Sequence, residues 1–267
     1  MERFIQDNMF FMTFWLFWLG AIVGSFLNVC IWRLPEEKSI VTPRSACREC
    51  ATPLKWYHNI PIVSFVLLGG KCEFCKKKIS LQYILVEVLT GYFFVEYFVL
   101  FGASPTYVVI TLLTCLLLVS TIVDFRHTII PDETNFFGMG AALILSALFP
   151  SLHGVSVGWQ GLLYAILGLL AGGGIVYLTA IIGDFVFKKD SMGGGDVKLM
   201  AMMGAFLGWK YIILTFFLAP FFALPIALYV KFVRKDDIVP YGPFLSIAGL
   251  VCFFAGDSIM NHLWGTL

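Results

Sequence analysis

Charged residues are scarce in this sequence. Asp, Glu, Lys and Arg make up only 13% of its 267 residues, whereas soluble proteins average roughly a quarter. Hydrophobic residues make up 59%, and the mean hydropathy is +0.87. This balance excludes a protein that is soluble over its whole length, and with a formal net charge of +1 no basic face is available for nucleic acid. The composition therefore predicts an all-α membrane protein with several spanning helices.

Two further features are missing. The four histidines form no His-Glu-x-x-His motif, and we therefore do not expect hydrolysis by a catalytic metal. The first apolar run lacks a basic flank and an Ala-x-Ala-like cleavage site. We therefore interpret it as a retained helix and not as a signal peptide.

Apolar runs are what the sequence has in abundance. A helix needs about 20 residues to cross a bilayer, and about eight runs reach or approach that length. The fourth and sixth are short, so we expect tilted or partly unwound segments there. The predicted spans are 9–32, 81–101, 106–123, 136–149, 159–183, 197–208, 211–231 and 241–263.

Lysine and arginine are concentrated on one side of these spans. If the amino terminus faces outside, the inner segments and their flanking helix ends hold all of the 18 positive residues except Arg3 and Lys210. Cytoplasmic loops are enriched in positive residues. We therefore predict an outside amino terminus, with inner segments at 33–80, 124–135, 184–196 and 232–240.

The 33–80 segment contains two Cys-x-x-Cys pairs, Cys47 with Cys50 and Cys72 with Cys75. This pattern is typical of a structural four-thiolate zinc site, in which both sulfurs of a pair face one tetrahedral ion. Disulfides and free redox thiols are the alternatives, and the reducing cytosol disfavours the first. We predict three domains: a first transmembrane helix, a cytoplasmic zinc-binding loop and a transmembrane core, over 1–32, 33–80 and 81–267.

His58 lies between the two cysteine pairs. Four sulfurs already complete a tetrahedral zinc site. We therefore predict that His58 is a surface or interface residue and not a metal ligand.

Two aspartates lie at the ends of predicted spans. Asp124 falls in the last turn of one helix, and Asp196 follows three consecutive glycines at the start of another. An ionisable residue at the membrane is costly, so its first interpretation is functional. A salt bridge with Arg126 or with a neighbouring loop is the alternative for Asp124, and helix capping is the alternative for Asp196. The glycines would let another backbone come close.

Two carboxylates that share a proton can hydrolyse a peptide bond. The ionised group activates water while the protonated group donates to the carbonyl oxygen. We predict that Asp124 and Asp196 form such a pair. A proton-coupled transporter that uses the same aspartates, or a membrane scaffold that docks through the zinc loop, is the alternative.

Other acidic residues receive other roles. Asp132 follows Pro131 just before an apolar run, so we interpret it as a helix N-cap. Glu87 lies near the cytoplasmic end of the second span, where it could contact the loop or a substrate amine. Glu96 lies further along the same span and has no clear assignment.

Several stretches together resemble the type IV prepilin peptidases, bifunctional leader peptidases and N-methyltransferases with a Gly-x-Gly-Asp aspartyl protease signature. The resemblance covers nearly the whole chain. It rests on Gly24 to Pro35, the two cysteine pairs, Asn59-Ile60-Pro61, Tyr83 with Glu87, Asp124 to Asp132, and Gly193 to Asp196.

This resemblance implies that Asp124 and Asp196 are the catalytic residues of the 81–267 domain. It also implies cleavage of basic leaders from prepilins or pseudopilins on the cytoplasmic side of the bacterial inner membrane, followed by methylation with S-adenosylmethionine. His58 stands where family members often carry an acidic residue, so a leader peptidase without methyltransferase activity is the alternative. No Gly-rich nucleotide loop is present, so the methyl-donor site has no assigned residues.

Overall fold

The computed structural model describes residues 9–188, 193–234 and 239–264. Arg3, Lys189 and Lys235 of the charge pattern lie outside these ranges. The described residues confirm the predicted all-α class. Their α-helices are α1 (Met9–Arg33), α2 (Val63–Leu67), α3 (Leu81–Phe101), α4 (Pro105–His127), α5 (Asp132–Leu148), α6 (Gly158–Phe187), α7 (Gly194–Tyr229) and α8 (Gly242–Trp264).

Six of these helices, namely α1, α3, α4, α6, α7 and α8, are long and apolar enough to cross a membrane. The short fourth run became α5, which has 17 residues. The sixth and seventh runs are two parts of α7, which is interrupted at Gly208. Its φ of +79° lies in the region that favours glycine. The eight predicted runs therefore correspond to seven long helices, one of them broken.

Contacts along the chain divide it into two units, one ending at Thr111 and the other beginning at Leu112. In the first unit, α1 packs against α3 through glycines. A Cβ atom added at Gly20 would lie 2.8 Å from Gly91 Cα, and one added at Gly24 would lie 2.8 Å from Glu87 Cα. Small residues allow this close approach of membrane helices.

The cysteine loop is attached to the same helix pair. Arg48 stacks on Trp32 with its guanidinium carbon 3.0 Å from the ring centre, and Trp32 stacks on Tyr83 of α3. The buried Glu87 accepts a hydrogen bond of 2.7 Å from the backbone N–H of Ile62. Ile62 has a φ of +61°, an unfavourable value for a β-branched residue, so this contact holds the loop in a strained conformation.

In the second unit, α6 and α7 cross at glycines. A Cβ atom at Gly168 would lie 2.0 Å from the carbonyl oxygen of Gly204, and one at Gly204 would lie 2.1 Å from that of Gly168. One turn further along α6, a Cβ atom at Gly172 would lie 2.2 Å from the Met200 carbonyl oxygen. The backbones touch, and this contact sets the position of the first half of α7, where Asp196 lies.

We expect that Gly204→Ala destabilises the protein, because its methyl group would overlap the α6 backbone. Overpacking of this kind costs about 1–3 kcal/mol, which thermal unfolding of the purified protein in detergent would measure. Gly174→Ala is the control on α6, since nothing lies within 4 Å of an added Cβ there. Equal melting temperatures for the two variants would contradict the close crossing of α6 and α7 at Gly168 and Gly204.

Candidate functional site

Asp124 lies in the last turn of α4 and is only 5% exposed. One carboxylate oxygen, Oδ2, accepts a buried hydrogen bond of 2.9 Å from the backbone N–H of Gly242, the first residue of α8. The predicted salt bridge with Arg126 was the alternative for this residue. The hydrogen bond with Gly242 gives the buried carboxylate a partner from a different helix.

Asp196 lies in the first turn of α7 and is half-buried. Its carboxylate interacts with the backbone of Gly193 and electrostatically with Asp124. Gly193 occupies the N-cap position, so Asp196 is not the N-cap residue itself. The two aspartates thus come from different helices, and their charges interact.

Ile130 lies against both halves of this site. A Cβ atom at Gly242 would lie 3.2 Å from Ile130 Cδ1, and one at Gly195 would lie 3.1 Å from Ile130 Cβ. The last glycine before Asp196 therefore packs on the turn that joins α4 to α5, whereas Gly194 has open space around it.

Tyr241 precedes α8 and interacts electrostatically with Asp196. A tyrosine hydroxyl group is protonated at neutral pH, so Tyr241 is able to donate a hydrogen bond near the two carboxylates.

The prediction that Asp132 is a helix N-cap is wrong. Pro131 occupies the N-cap position of α5, and Asp132 begins the helix without a side-chain cap. Its two carboxylate oxygens accept hydrogen bonds of 2.7 and 2.6 Å from Lys198 Nζ. The carboxylate of Asp132 thus pairs with the ammonium group of Lys198 and not with the backbone amides of α5. This ion pair connects the start of α5 to the start of α7.

The four predicted metal ligands come together. The sulfur atoms of Cys47, Cys50, Cys72 and Cys75 all lie within 4.8 Å of one another. Each pair sits in a turn closed by an isolated antiparallel bridge, Ala46 with Pro53 and Lys71 with Lys78.

The two turns have the same hydrogen bonds. The N–H of Cys47 donates to Thr52 and that of Cys72 to Lys77, five residues further on in each case. The residue after the second cysteine, Ala51 or Lys76, has a φ near +55° in both turns. The same turn thus occurs twice in the loop, and each copy points its two sulfurs at one common centre.

These sulfurs fit a tetrahedral metal ion. Cys47 Sγ and Cys75 Sγ are 3.8 Å apart, the spacing expected for two thiolates each about 2.3 Å from one zinc ion. A disulfide would require about 2.05 Å. The cluster could therefore hold a metal ion with all four positions filled by protein.

His58 is not among the clustered ligands, as predicted, but its side chain is only 4% exposed. Its Nε2 lies 2.8 Å from a carboxylate oxygen of Glu73, and its ring packs edge-on against Phe74. The His58 side chain is therefore packed within the loop, which corresponds to the interface half of the prediction and not to the surface half. Glu87 does contact the loop, one of the two roles considered for it, through the N–H of Ile62.

The pentapeptide 154–158 reads Gly-x-Ser-x-Gly, the pattern of a serine nucleophile elbow. It connects the 3-10 helix Pro150–His153 to α6, without the strand that such an elbow requires. The neighbouring His153 is 2.9 Å from Ser146 Oγ. No serine triad is assembled at this place in the described chain.

Gly242 is the site residue that sequence reasoning missed. The only local signal is the stretch Pro240-Tyr241-Gly242-Pro243 before the last apolar run. Such a stretch marks a turn in any protein, so it did not point to the aspartates.

These features define a class: a polytopic membrane protein with two interacting carboxylates at helix ends and a four-cysteine loop. The family model described as "Bacterial Peptidase A24 N-terminal domain" matches residues 18–101. The family model described as "Type IV leader peptidase family" matches residues 111–228. The chain belongs to the type IV leader peptidase family.

Characterised relatives extend over most of the chain. A protein of Pseudomonas putida named prepilin leader peptidase/N-methyltransferase is 32% identical over 270 residues, which cover 90% of each chain. A Neisseria gonorrhoeae protein of the same name is 33% identical over 265 residues, again 90% of each chain. No solved structure matches the chain.

We expect Gly195→Val to slow cleavage of a leader-peptide substrate roughly tenfold or more, because the added side chain would push against Ile130 and displace Asp196. Gly194→Val is the matched control, since nothing lies within 4 Å of an added Cβ there. Initial rates of the two purified variants give the comparison. Equal rates would show that the glycine before Asp196 is not needed for close packing.

Proposed function

We propose that this protein is an aspartyl endopeptidase that removes the leader from type IV prepilins or pseudopilins and then N-methylates the new amino terminus. Asp124 and Asp196 are the catalytic residues. The observation that carries the proposal is geometric: Gly242, which binds Asp124, and Gly195, which precedes Asp196, both pack on Ile130, so α4 and α7 bring the two carboxylates into one site. The names of the relatives support the same reaction pair.

The carboxylate pair would act on the peptide bond directly. The ionised group takes a proton from water as the water oxygen attacks the carbonyl carbon, and the protonated group donates its proton to the carbonyl oxygen. Collapse of the tetrahedral intermediate breaks the C–N bond, and the pair supplies the proton for the leaving amine. The half-buried position of Asp196, beside the deeply buried Asp124, leaves one side open to water and substrate.

The position of the pair suits a substrate with an apolar helix and a basic leader. Both aspartates lie at helix ends that the charge pattern assigns to the cytoplasmic face of the bacterial inner membrane, with the amino terminus outside. A leader that stays in the cytoplasm would bring its junction with the apolar helix to that depth. The division into 1–32, 33–80 and 81–267 belongs to this proposal, with cleavage assigned to the last part.

A metal ion held by the cysteine cluster would be structural zinc. The four thiolates would fill every position of a tetrahedral ion, so no water could bind and no Lewis-acid step is expected there. Between Leu54 and Lys78, the short α2 is the only α-helix in the described chain. The metal ion would therefore hold this loop together. Zinc binding thus substitutes for a hydrophobic core.

S-adenosylmethionine would supply the methyl group. The first unit, which contains the cysteine loop, has a cavity of about 690 Å³. This volume lies in the range of small-molecule sites. Three basic residues, Arg33, Arg44 and Lys55, line this cavity. None of its described lining residues is acidic. The donor carries a sulfonium and an ammonium group against one carboxylate, so this basic cavity does not match its charge. We derive no methyl-transfer step from it.

Asp124→Asn and Asp196→Asn should each reduce leader cleavage at least about a thousandfold, because the amide can neither activate water nor share the proton. The measurement is mass spectrometry of a prepilin after incubation with purified protein and S-adenosylmethionine. It resolves loss of the leader from addition of a methyl group. Loss of the leader without methylation would support the peptidase-only alternative.

The exposed Glu133 in the first turn of α5 offers a matched control, and Glu133→Gln should cleave at the normal rate. All three variants should have unchanged melting temperatures. Proton-coupled flux in proteoliposomes without cleavage would favour a transporter, and neither activity would favour a scaffold. Full cleavage by either asparagine variant refutes the aspartyl mechanism.

We expect purified protein to contain about one zinc ion per chain and Cys47→Ser to lose most of it, because three thiolates leave the tetrahedral site incomplete. Elemental analysis measures the ion. Cys252→Ala, which removes a lone buried thiol in α8, is the control and should keep its zinc. Equal metal content in both variants would rule out the four-cysteine site.

A further inference from the structure

The first backbone amide of α8 points at one of the two aspartates. Gly242 N is 2.9 Å from Asp124 Oδ2 in a buried hydrogen bond, although the two residues are 118 positions apart. The first amides of a helix have no carbonyl partner within the helix. This amide is therefore available to a carboxylate, and the positive end of the helix favours the negative charge.

Residue 242 is a glycine because of space and not because of backbone conformation. Its φ is not positive. A Cβ atom there would lie 2.8 Å from Asp124 Oδ2 and 3.4 Å from its Cγ. Any side chain would therefore push the carboxylate away from its present position.

The amide is held by a fixed helix. Ser246 Oγ donates to the Gly242 carbonyl oxygen at 2.9 Å. The N–H groups of Phe244 and Leu245 donate to the backbone carbonyl oxygen of Tyr241. The helix packs on α7, the helix that carries Asp196: a Cβ atom at Gly249 would lie 2.8 Å from Met203 Sδ. The donor to one aspartate and the helix of the other are thus parts of one packed assembly.

We propose that Gly242 is a positioning residue for peptide cleavage: its backbone N–H fixes one oxygen of Asp124 and leaves the other oxygen to face the reaction. An N–H group can only donate, so it occupies one oxygen of Asp124 without competing for the shared proton. Asp196 and the protonated Tyr241 are the titratable groups that interact in the same cluster. The inference rests on the proposed aspartyl peptidase function.

Two substitutions test the role from opposite directions. Gly242→Ala keeps the N–H but displaces the carboxylate, whereas replacement of Gly242 by glycolic acid in cell-free synthesis removes the N–H without adding an atom. Both should lower kcat for a prepilin substrate by about ten- to hundredfold, the effect of a hydrogen bond to a charged group. KM should stay within about twofold of the normal value, because no contact with substrate is lost.

Gly140→Ala in α5 is the matched control, since nothing lies within 4 Å of a Cβ there. A rise in KM with normal kcat would overturn the positioning role, as would normal kinetics in the glycolic acid variant. That variant also decides the matter if Gly242→Ala does not fold. Normal Gly242 variants beside an inactive Asp124→Asn would reject only this inference, whereas an active Asp124→Asn would reject the peptidase mechanism itself.

Discussion

A carboxylate at the edge of a bilayer has to be given partners by the protein, because water is scarce and an isolated charge is costly there. Asp124 receives a backbone amide from Gly242, and Asp196 is near enough for the two like charges to repel unless a proton is shared between them. Three helices must therefore end at one place: α4 at its carboxyl end, and α7 and α8 at their amino ends. The arrangement of the second unit follows from this requirement.

Glycines make that convergence possible. Gly168 and Gly204 let α6 and α7 touch through their backbones, Gly195 lets α7 begin against Ile130, and Gly242 lets α8 begin against Asp124. In a membrane the hydrophobic effect does not drive helices together, so close packing of small residues contributes a large part of the stability. The same residues that stabilise the bundle thus position the carboxylates.

The cysteine loop is organised on a different principle. It has little apolar core, and two similar turns bring four sulfurs within 4.8 Å of one another instead. Polar contacts attach it to the helices of its unit: Arg48 stacks on Trp32, and Glu87 accepts from the strained Ile62. A metal ion would thus stabilise a loop whose attachment points are already set by side chains.

The sequence by itself determined the features that depend on local composition. Apolar runs predicted the long helices to within a few residues, and the spacing of the cysteine pairs predicted their cluster, since each pair folds into a local turn. The positions of Asp124 and Asp196 at helix ends followed from the same runs, while their catalytic role stays a prediction. Only the tertiary structure decided that Asp132 pairs with Lys198, that His58 is interior and that Gly242 supports Asp124. The physical reason is that these contacts join residues far apart in the chain, through backbone amides and side chains whose partners no local pattern encodes.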